Sequence, residues 1–339
     1  MKYLPWMSMM LVLSQSVLGC SDDTNEPTAS GGSTSSGGKG SVAGSGGKSA
    51  AQGGSASQSG SAGAGDADAG AGGAQASAKD IVDTAVAAGS FTQLADALAA
   101  AGLVEALKGE GPFTVFAPTD EAFDAFEEEN PGVLAGLSKD ELGAVLKYHV
   151  VAGAAVESDA LKDDQVFVTL NGSPVLIDTT GGVKVSDAKV TTADVTASNG
   201  VIHVIDKIIL PPADDIVQTA IAAGTFETLA GALTAADLVA TLQGDGPFTV
   251  FAPTDAAFDK LAAVPTGDAL KDVLLYHVVS GAVGSGDLSA GEVSTLLEDK
   301  SLTVSLTGGV KINDAKVTTA NIIAKNGVIH VVDTVLVPE

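Results

Sequence analysis

The sequence predicts an α+β fold that is built twice in tandem. A ten-residue stretch from Gly111 to Asp120 is repeated letter for letter from Gly246 to Asp255. Within each copy, apolar residues at helical spacing come first, and β-rich runs separated by Asn-Gly and Gly-Gly turns come mostly later. The chain has 339 residues, which is enough for two such domains and an additional N-terminal segment.

The repeated stretch itself predicts a strand followed by a helix. Phe113 to Ala117 is a short run of apolar, β-branched and aromatic residues, which is typical of a buried strand. Pro118 cannot donate to a strand ladder and is expected to end the strand. Thr119 or Asp120 can then cap a helix that begins at residue 121.

The elements around this stretch follow the same order in both copies. Two helices precede it in the first copy, the first beginning at Ile81 and the second capped by Ser90. Ser138 and Glu141 form a capping box for a later helix, whose apolar stripe includes His149. The predicted strands in the remainder of the first copy are residues 165–170, 174–178, 183–185 and 201–210.

The N-terminus predicts a lipoprotein signal peptide and a tether. An apolar run at residues 4–13 is too short to span a bilayer and ends near Gly19-Cys20, which resembles a bacterial lipobox. Residues 1–20 are therefore expected to be the signal peptide, with Cys20 lipidated. The alternative is an ordinary secretory signal with an incidental cysteine. Residues 21–79, rich in Gly, Ser and Ala, predict a disordered tether; the domains are expected at 80–211 and 214–338.

Composition excludes one class of partner. The chain carries 42 acidic residues against 17 lysines, and it contains no arginine. Arginine provides the planar fork that recognises phosphate and guanine, and an acidic surface repels polyanions. Nucleic acid is therefore not an expected partner, and the expected contact with a membrane runs through lipidated Cys20.

Four histidines are the candidates for metal or catalytic chemistry, and they form two matched pairs. His149 corresponds to His277, and His203 corresponds to His330. A zinc site needs three or four ligands at suitable spacing, and no such set is visible. His149 and His277 lie on apolar stripes, which favours a structural role. A metal-binding or hydrolytic protein that uses these histidines remains the less favoured alternative.

Three sequence blocks, each present twice, resemble the signature of the fasciclin (FAS1) domain. They are residues 114–123, 146–150 and 199–206, with second copies at 249–258, 275–278 and 326–333. The resemblance implies a wedge-shaped β-sandwich with a helical layer in each domain. It also implies an extracellular adhesion protein without catalytic activity or cofactors.

The resemblance also implies candidate ligand-binding residues. In fasciclin proteins that bind integrins, a Tyr-His pair and an Asp-Ile pair are implicated. The first pair corresponds to Tyr148-His149 and Tyr276-His277 in this sequence. The second corresponds to Asp194-Val195 in domain 1, whereas domain 2 has Asn321-Ile322, which lacks the carboxylate.

The sequence and the resemblance together favour a non-enzymatic adhesion or matrix-binding protein. Its expected partners are a surface protein, the extracellular matrix or a polysaccharide. Its expected location is the bacterial cell envelope, at the outer membrane or cell surface. The alternative from a different class is a structural envelope module that binds no outside ligand.

Overall fold

The structure is a computed structural model that describes residues 79–338. The predicted signal peptide, Cys20 and all but the last residue of the predicted tether lie outside the described residues. Within 79–338 the chain forms two domains of the same topology, each with one mixed seven-stranded sheet and a set of helices. The predicted tandem α+β fold is confirmed. In this part of the chain no helix has the length and apolar character needed to cross a membrane.

In domain 1 three helices precede the repeated strand and three follow it, and the remaining strands come after the last helix. Its helices are α1 (Ile81–Ala88), α2 (Thr92–Ala101), α3 (Val104–Leu107), α4 (Asp120–Glu129), α5 (Val133–Gly136) and α6 (Lys139–Tyr148). Its strands are β1 (Phe113–Pro118), β2 (Val150–Ala152), β3 (Val166–Val168), β4 (Pro174–Asp178), β5 (Lys184–Val185), β6 (Ala188–Ala197) and β7 (Gly200–Ile205).

Domain 2 repeats this order with small differences in its helices. Its helices are α7 (Ile216–Ala223), α8 (Glu227–Ala235), α9 (Val239–Leu242), α10 (Asp255–Phe258) and α11 (Asp268–Tyr276). Its strands are β8 (Phe248–Pro253), β9 (Val278–Ser280), β10 (Gly291–Ser294), β11 (Ser301–Ser305), β12 (Lys311–Ile312), β13 (Ala315–Ala324) and β14 (Gly327–Val332).

The repeated strand lies near one end of each sheet, beside the last strand of its domain. The strand order in domain 1 is β2-β1-β7-β6-β5-β4-β3, and β1 and β7 are parallel whereas the other pairs are antiparallel. The two ends of the sheet meet, because the Leu170 N–H just after β3 donates to the Val150 oxygen in β2 at 2.7 Å. In domain 2 the Leu296 N–H donates to the Val278 oxygen, also at 2.7 Å, and joins the two ends of that sheet.

Each domain has two apolar clusters, one on either side of strand β1 or β8. In domain 1, Val115 packs into the cluster under the helices, with Leu94 and Leu146. Phe116 points the other way, into a cluster with Ile177 and Ile205. Because every residue of β1 is buried, the prediction of a buried strand in the repeated stretch is confirmed.

The helix after the repeated strand begins at Asp120, one residue before the predicted start, and the cap of α2 differs from the prediction. Thr119 is the N-cap of α4 and accepts a hydrogen bond from the Ala122 N–H. Ser90 does not cap α2. The free N–H groups of Thr92 and Gln93 instead donate to the Asp120 carboxylate, at 3.2 and 2.8 Å. The carboxylate of one helix therefore caps another, which also places a negative charge at an N-terminus where the helix dipole favours it.

The strand predictions were correct in part. β4 has the predicted bounds, whereas the run 201–210 leaves the sheet after Ile205. The long strand β6 was missed, because its residues are mostly half-buried or exposed and carry no continuous apolar run. The short strand β2 was missed because it follows α6 with only His149 between them.

The Asn-Gly turn before β7 does more than reverse the chain. The Asn199 side chain donates to the oxygens of Leu107 and Gly109 at 2.7 and 3.0 Å, and it accepts from the Ile81 N–H at 3.0 Å. Asn326 makes the same three bonds in domain 2. These bonds join the start of the first helix and the end of the third to the sheet.

Candidate functional site

The structure places both Tyr-His pairs in the domain cores. Tyr148 is 2 % exposed, and its hydroxyl donates to the Pro174 oxygen at 3.0 Å. Burial raises the pKa of Tyr148 to about 12. The Tyr276 hydroxyl makes the corresponding bond to Ser301 at 2.9 Å. These side chains stabilise the sheet from within and are not presented to an outside ligand.

His149 and His277 use both ring nitrogens within the protein. His149 Nδ1 lies 2.8 Å from the Val145 oxygen and donates to it, while Nε2 accepts the Ile209 N–H at 3.2 Å. His277 is bonded in the same way to Val273 and Leu336. Since burial disfavours the charged ring, the pKa of each histidine is lowered to about 4. Both rings are therefore neutral at physiological pH.

The second pair of histidines lies in strands β7 and β14 and holds a loop. His203 is fully buried and stacks on Phe116, with ring centroids 5.8 Å apart. Its Nε2 donates to the Val156 oxygen at 2.8 Å, and its Nδ1 accepts the Asp194 N–H at 3.4 Å. An oxygen of the Asp194 carboxylate also lies 4.0 Å from Nδ1.

His330 makes the equivalent contacts in domain 2. Its Nε2 donates to the Val283 oxygen at 2.9 Å, and its Nδ1 accepts the Asn321 N–H at 3.4 Å. Burial lowers the pKa of His330. All four histidines thus have protein partners for both nitrogens, and among residues 79–338 no three His, Cys, Asp or Glu side chains are grouped as metal ligands would be.

The loop that His203 holds is also held by the repeated stretch. The buried hydroxyl of Thr114 in β1 donates to the Ala154 oxygen and accepts the Val156 N–H, both at 2.9 Å. Thr249 holds the corresponding loop of domain 2 through Gly281 and Val283. The signature residues therefore fix the position of residues 154–158 against the strand pair β6–β7.

Asp194 lies where this loop meets a bulge in β6. The pairing of β6 with β7 shifts register between Thr192 and Val195, and Asp194 adopts a left-handed conformation with φ 60°. Its carboxylate accepts from the Ser158 N–H at 2.7 Å and from the Ser158 hydroxyl. These bonds, led by that of the hydroxyl, lower the pKa of Asp194. We call Ser158, Asp194 and Val195 the bulge site.

The bulge site presents a charged group that is both ordered and accessible. The Asp194 side chain is 41 % exposed although two hydrogen bonds from Ser158 orient it. Val195 is half-buried and packs against the helical-side cluster. An open groove of about 610 Å³ lies beside the site, and Glu157 and Thr196, neighbours in sequence of the site's residues, contribute to its lining.

Domain 2 has the same geometry with a neutral side chain. Asn321 also lies in a bulge, at φ 59°. Its oxygen accepts the Ser285 N–H at 2.8 Å, and its amide donates to the Ser285 hydroxyl at 2.9 Å. The amide therefore reproduces the shape of the Asp194 arrangement without the charge.

Comparison with known proteins decides the family. The Fasciclin domain model matches residues 89–211 and 224–338, which together are more than half of the chain. The chain belongs to the fasciclin domain family. The three signature blocks lie in these matched regions, and the structure shows that Thr114, His149 and His203 within them are internal fasciclin residues.

Relatives differ in how much of their length this chain spans. Transforming growth factor-beta-induced protein ig-h3 of Sus scrofa is 34% identical over 244 residues, which are 69% of this chain and 36% of that protein. Uncharacterized protein sll1735 of Synechocystis is 44% identical over 133 residues, which are 39% of this chain and 97% of that protein. The chain thus spans about a third of ig-h3, whereas a single fasciclin domain spans nearly all of sll1735.

A solved structure of a FAS1 domain pair also matches this chain. The FAS1 domain pair from the insect cell adhesion molecule Fasciclin I is 18% identical, with a TM-score of 0.33. The match covers 74% of this chain and 97% of the chain in that structure.

Sequence reasoning missed Ser158, the residue that orients Asp194. Ser158 and Asp194 are separated by 36 positions, so no local pattern joins them. A signal was nevertheless present, because Ser285 recurs at the matching place in domain 2, two residues after the valine that accepts the histidine bond.

Proposed function

We propose that this protein is a non-enzymatic adhesion or matrix-binding protein that binds its partner through the bulge site of domain 1. The observation that supports this most is the Asp194 carboxylate, which is exposed and oriented by Ser158. Thr196, two residues further along β6, lines an open groove. Fasciclin domains occur in adhesion and matrix proteins. The proposed partners are a surface protein, a matrix component or a polysaccharide.

An enzymatic role has little support from the histidines. A general base needs a ring nitrogen that can reach a substrate proton. In His149, His203, His277 and His330 both nitrogens are already bonded within the protein. The four histidines therefore offer no free ring nitrogen as a general base, which favours binding over catalysis.

Among the residues implicated by the family resemblance, Asp194 and Val195 are the ones we propose for direct contact. Tyr148, His149, Tyr276 and His277 are each at most 6 % exposed. We propose that these four act indirectly, by holding the strands next to the loops. A direct contact with them would require the domain to open.

Attachment of coated beads tests the function and the site together. We expect beads carrying the protein to attach to cells of the source or to their envelope polysaccharide more than beads carrying an unrelated acidic protein do. Asp194→Asn removes the charge but can still bond to Ser158 as Asn321 bonds to Ser285. The amide oxygen accepts the backbone N–H, and the amide N–H donates to the hydroxyl instead of accepting from it. If the partner donates a hydrogen bond to the Asp194 carboxylate, Asp194→Asn is expected to lower attachment about 10-fold, because the loss of a hydrogen bond to a charged group weakens binding by about that factor.

The matched control is Asp96→Asn, which removes an exposed carboxylate from α2 of domain 1 in the same way and is expected to leave attachment unchanged. Attachment of Asp194→Asn at the wild-type level would contradict the proposed site. Attachment of wild-type beads no greater than that of the acidic control would contradict adhesion and favour a structural envelope module.

We further propose that the domains are displayed from a membrane. In this proposal residues 1–20 are a lipoprotein signal, lipidated Cys20 is the anchor, residues 21–79 are the tether, and the domains are 80–211 and 214–338. The support is the lipobox-like Gly19-Cys20 and the position of the single cysteine of the chain. The proposed location is the cell envelope, at the outer membrane or cell surface.

Fatty-acid labelling checks the anchor. The full chain is expressed in cells that are supplied with a radioactive or clickable fatty acid. The wild-type protein is expected to incorporate the label, and the Cys20→Ser variant is expected to remain unlabelled. Ser14→Ala serves as the control, because it alters the predicted signal peptide outside the lipobox-like residues and keeps the thiol. Equal labelling of wild type and Cys20→Ser, or absence of label in both, would contradict the proposal.

A further inference from the structure

The two bulge sites have different surroundings, because domain 1 packs onto the site of domain 2. Residues 163–166 of domain 1 lie against residues 284–287 of domain 2. The Ser285 hydroxyl donates to the Asp164 carboxylate at 3.0 Å, and the Gly286 N–H donates to the Asp164 oxygen at 3.1 Å. The Val166 N–H donates to the Asp287 carboxylate at 2.9 Å. We call this contact the junction.

The junction requires glycine at two positions of domain 2. A Cβ at Gly284 would lie 2.3 Å from the Asp164 oxygen, and one at Gly286 would lie 2.0 Å from the Asp163 oxygen. Atoms that are not bonded cannot approach so closely, so any side chain there would force the domains apart. The two glycines therefore permit backbone to meet backbone.

Domain 1 lacks these glycines at the matching positions. Ser158 corresponds to Ser285, so Glu157 and Asp159 correspond to Gly284 and Gly286. Both acidic residues are exposed, whereas Gly284 is buried. The side chains of Glu157 and Asp159 would block the close backbone approach that residues 163–166 make to domain 2, and their negative charges would repel an acidic segment of that kind. The docking surface is thus specific to domain 2.

We propose that the two fasciclin domains form one rigid body, because domain 2 uses its bulge site to bind domain 1. The copy of the site around Ser285 and Asn321 is an internal docking surface. The copy around Ser158 and Asp194 is the one that stays open to a partner. This last statement rests on the proposed function, whereas the rigid junction does not.

The bond network at the junction supports this division. The Ser285 hydroxyl accepts from the Asn321 amide and donates to Asp164, so it joins the bulge of domain 2 to the loop of domain 1. In domain 1 the Ser158 hydroxyl is used within the bulge site, as a donor to Asp194. An aspartate at position 321 would compete with Asp164 for the Ser285 proton, and asparagine avoids that competition because its amide is a donor.

Distance measurement between the domains tests the junction. The full chain with Cys20→Ser carries spin labels at Ala100→Cys in α2 and Ala235→Cys in α8, both exposed in the structure. Pulsed electron paramagnetic resonance is expected to give a single narrow distance distribution. Gly286→Val is expected to broaden it several-fold. The control Asp159→Val places the same side chain at the matching position of domain 1 and is expected to leave the distribution narrow.

A milder variant separates loss of the junction from loss of folding. The double substitution Ser285→Ala and Asp287→Ala removes two junction bonds without adding a side chain, and it is expected to broaden the distribution while the circular dichroism spectrum is unchanged. A broad distribution in the starting protein, or a narrow one in both the double variant and a folded Gly286→Val, would overturn the proposal. Because no attachment is measured, this result does not depend on the adhesion hypothesis.

Discussion

Acidification is expected to destabilise both domains well before their carboxylates are protonated. His149 and His277 are buried as neutral rings, with pKa values of about 4 instead of 6.5. The unfolded chain therefore binds a proton at each histidine as the pH falls below 6.5, while the folded protein does not. Linkage gives a loss of about 3 kcal/mol in unfolding free energy for each domain between pH 6.5 and 4.

The sign follows from the bonding of each ring. Nε2 of His149 accepts the Ile209 N–H, so a proton on Nε2 would place two donors against each other. The pKa is depressed, and the contribution is complete above 6.5 and lost progressively below it. The carboxyls of Asp255 and Asp333 also have lowered pKa values, through bonds that they accept from backbone N–H groups. Their contribution is lost only as the pH falls below the ordinary value of 3.8, so the histidine window is separate.

Urea unfolding of the full chain at several pH values from about 7 to about 4.5 measures this effect. His149→Gln is expected to flatten the pH dependence of domain 1 alone. His277→Gln is expected to reduce that of domain 2 alone, where His330 also has a lowered pKa, so each domain is the control for the other. Both variants are expected to be less stable than the wild type at neutral pH. Equal wild-type stability at about pH 7 and about pH 5 would contradict buried neutral histidines.

Gly111→Ala is expected to unfold domain 1, because it acts where the repeated stretch approaches the chain before β7. A Cβ at Gly111 would lie 2.0 Å from the Asn199 oxygen, and one at Gly246 would lie 2.1 Å from the Asn326 oxygen. Both contacts are with backbone, which cannot rotate away. We expect each substitution to cost more than about 4 kcal/mol, the range reserved for such severe strain.

The control for this substitution is a glycine with open space around it. Gly143 lies inside α6, and no heavy atom outside its own helix lies within 4 Å of a Cβ built there. Gly143→Ala is expected to stabilise domain 1 by about 1 kcal/mol, since alanine is the better helix former. Thermal unfolding by calorimetry compares the variants. A loss of less than about 1 kcal/mol in Gly111→Ala would show that the close approach relaxes freely.

Much of the fold could be predicted because its signals are local. Thr119 caps α4 and Ser138 with Glu141 caps α6 through bonds that span a single turn. Strand β1 is an unbroken apolar run that is buried throughout. The exact repeat of Gly111 to Asp120 established the duplication without any knowledge of the packing.

Other features depended on residues that meet only after folding. Asp120 caps α2 across 27 positions, and the local candidate Ser90 does not. Strand β6 has a largely polar sequence without a continuous apolar run, so no local pattern predicted it. It forms because it pairs with β5 and β7 in the folded sheet. Ser158 orients Asp194 from another part of domain 1.

The sequence was therefore sufficient for the family, the tandem arrangement and the internal character of the histidine stripe, because these follow from periodicity and repeated motifs. The tertiary structure alone decided which copy of the bulge site is free. That distinction rests on Gly284 and Gly286, whose lack of a side chain matters only where residues 163–166 approach them. Close contact between distant segments is a property of the folded chain, and single residues that permit it carry no pattern of their own.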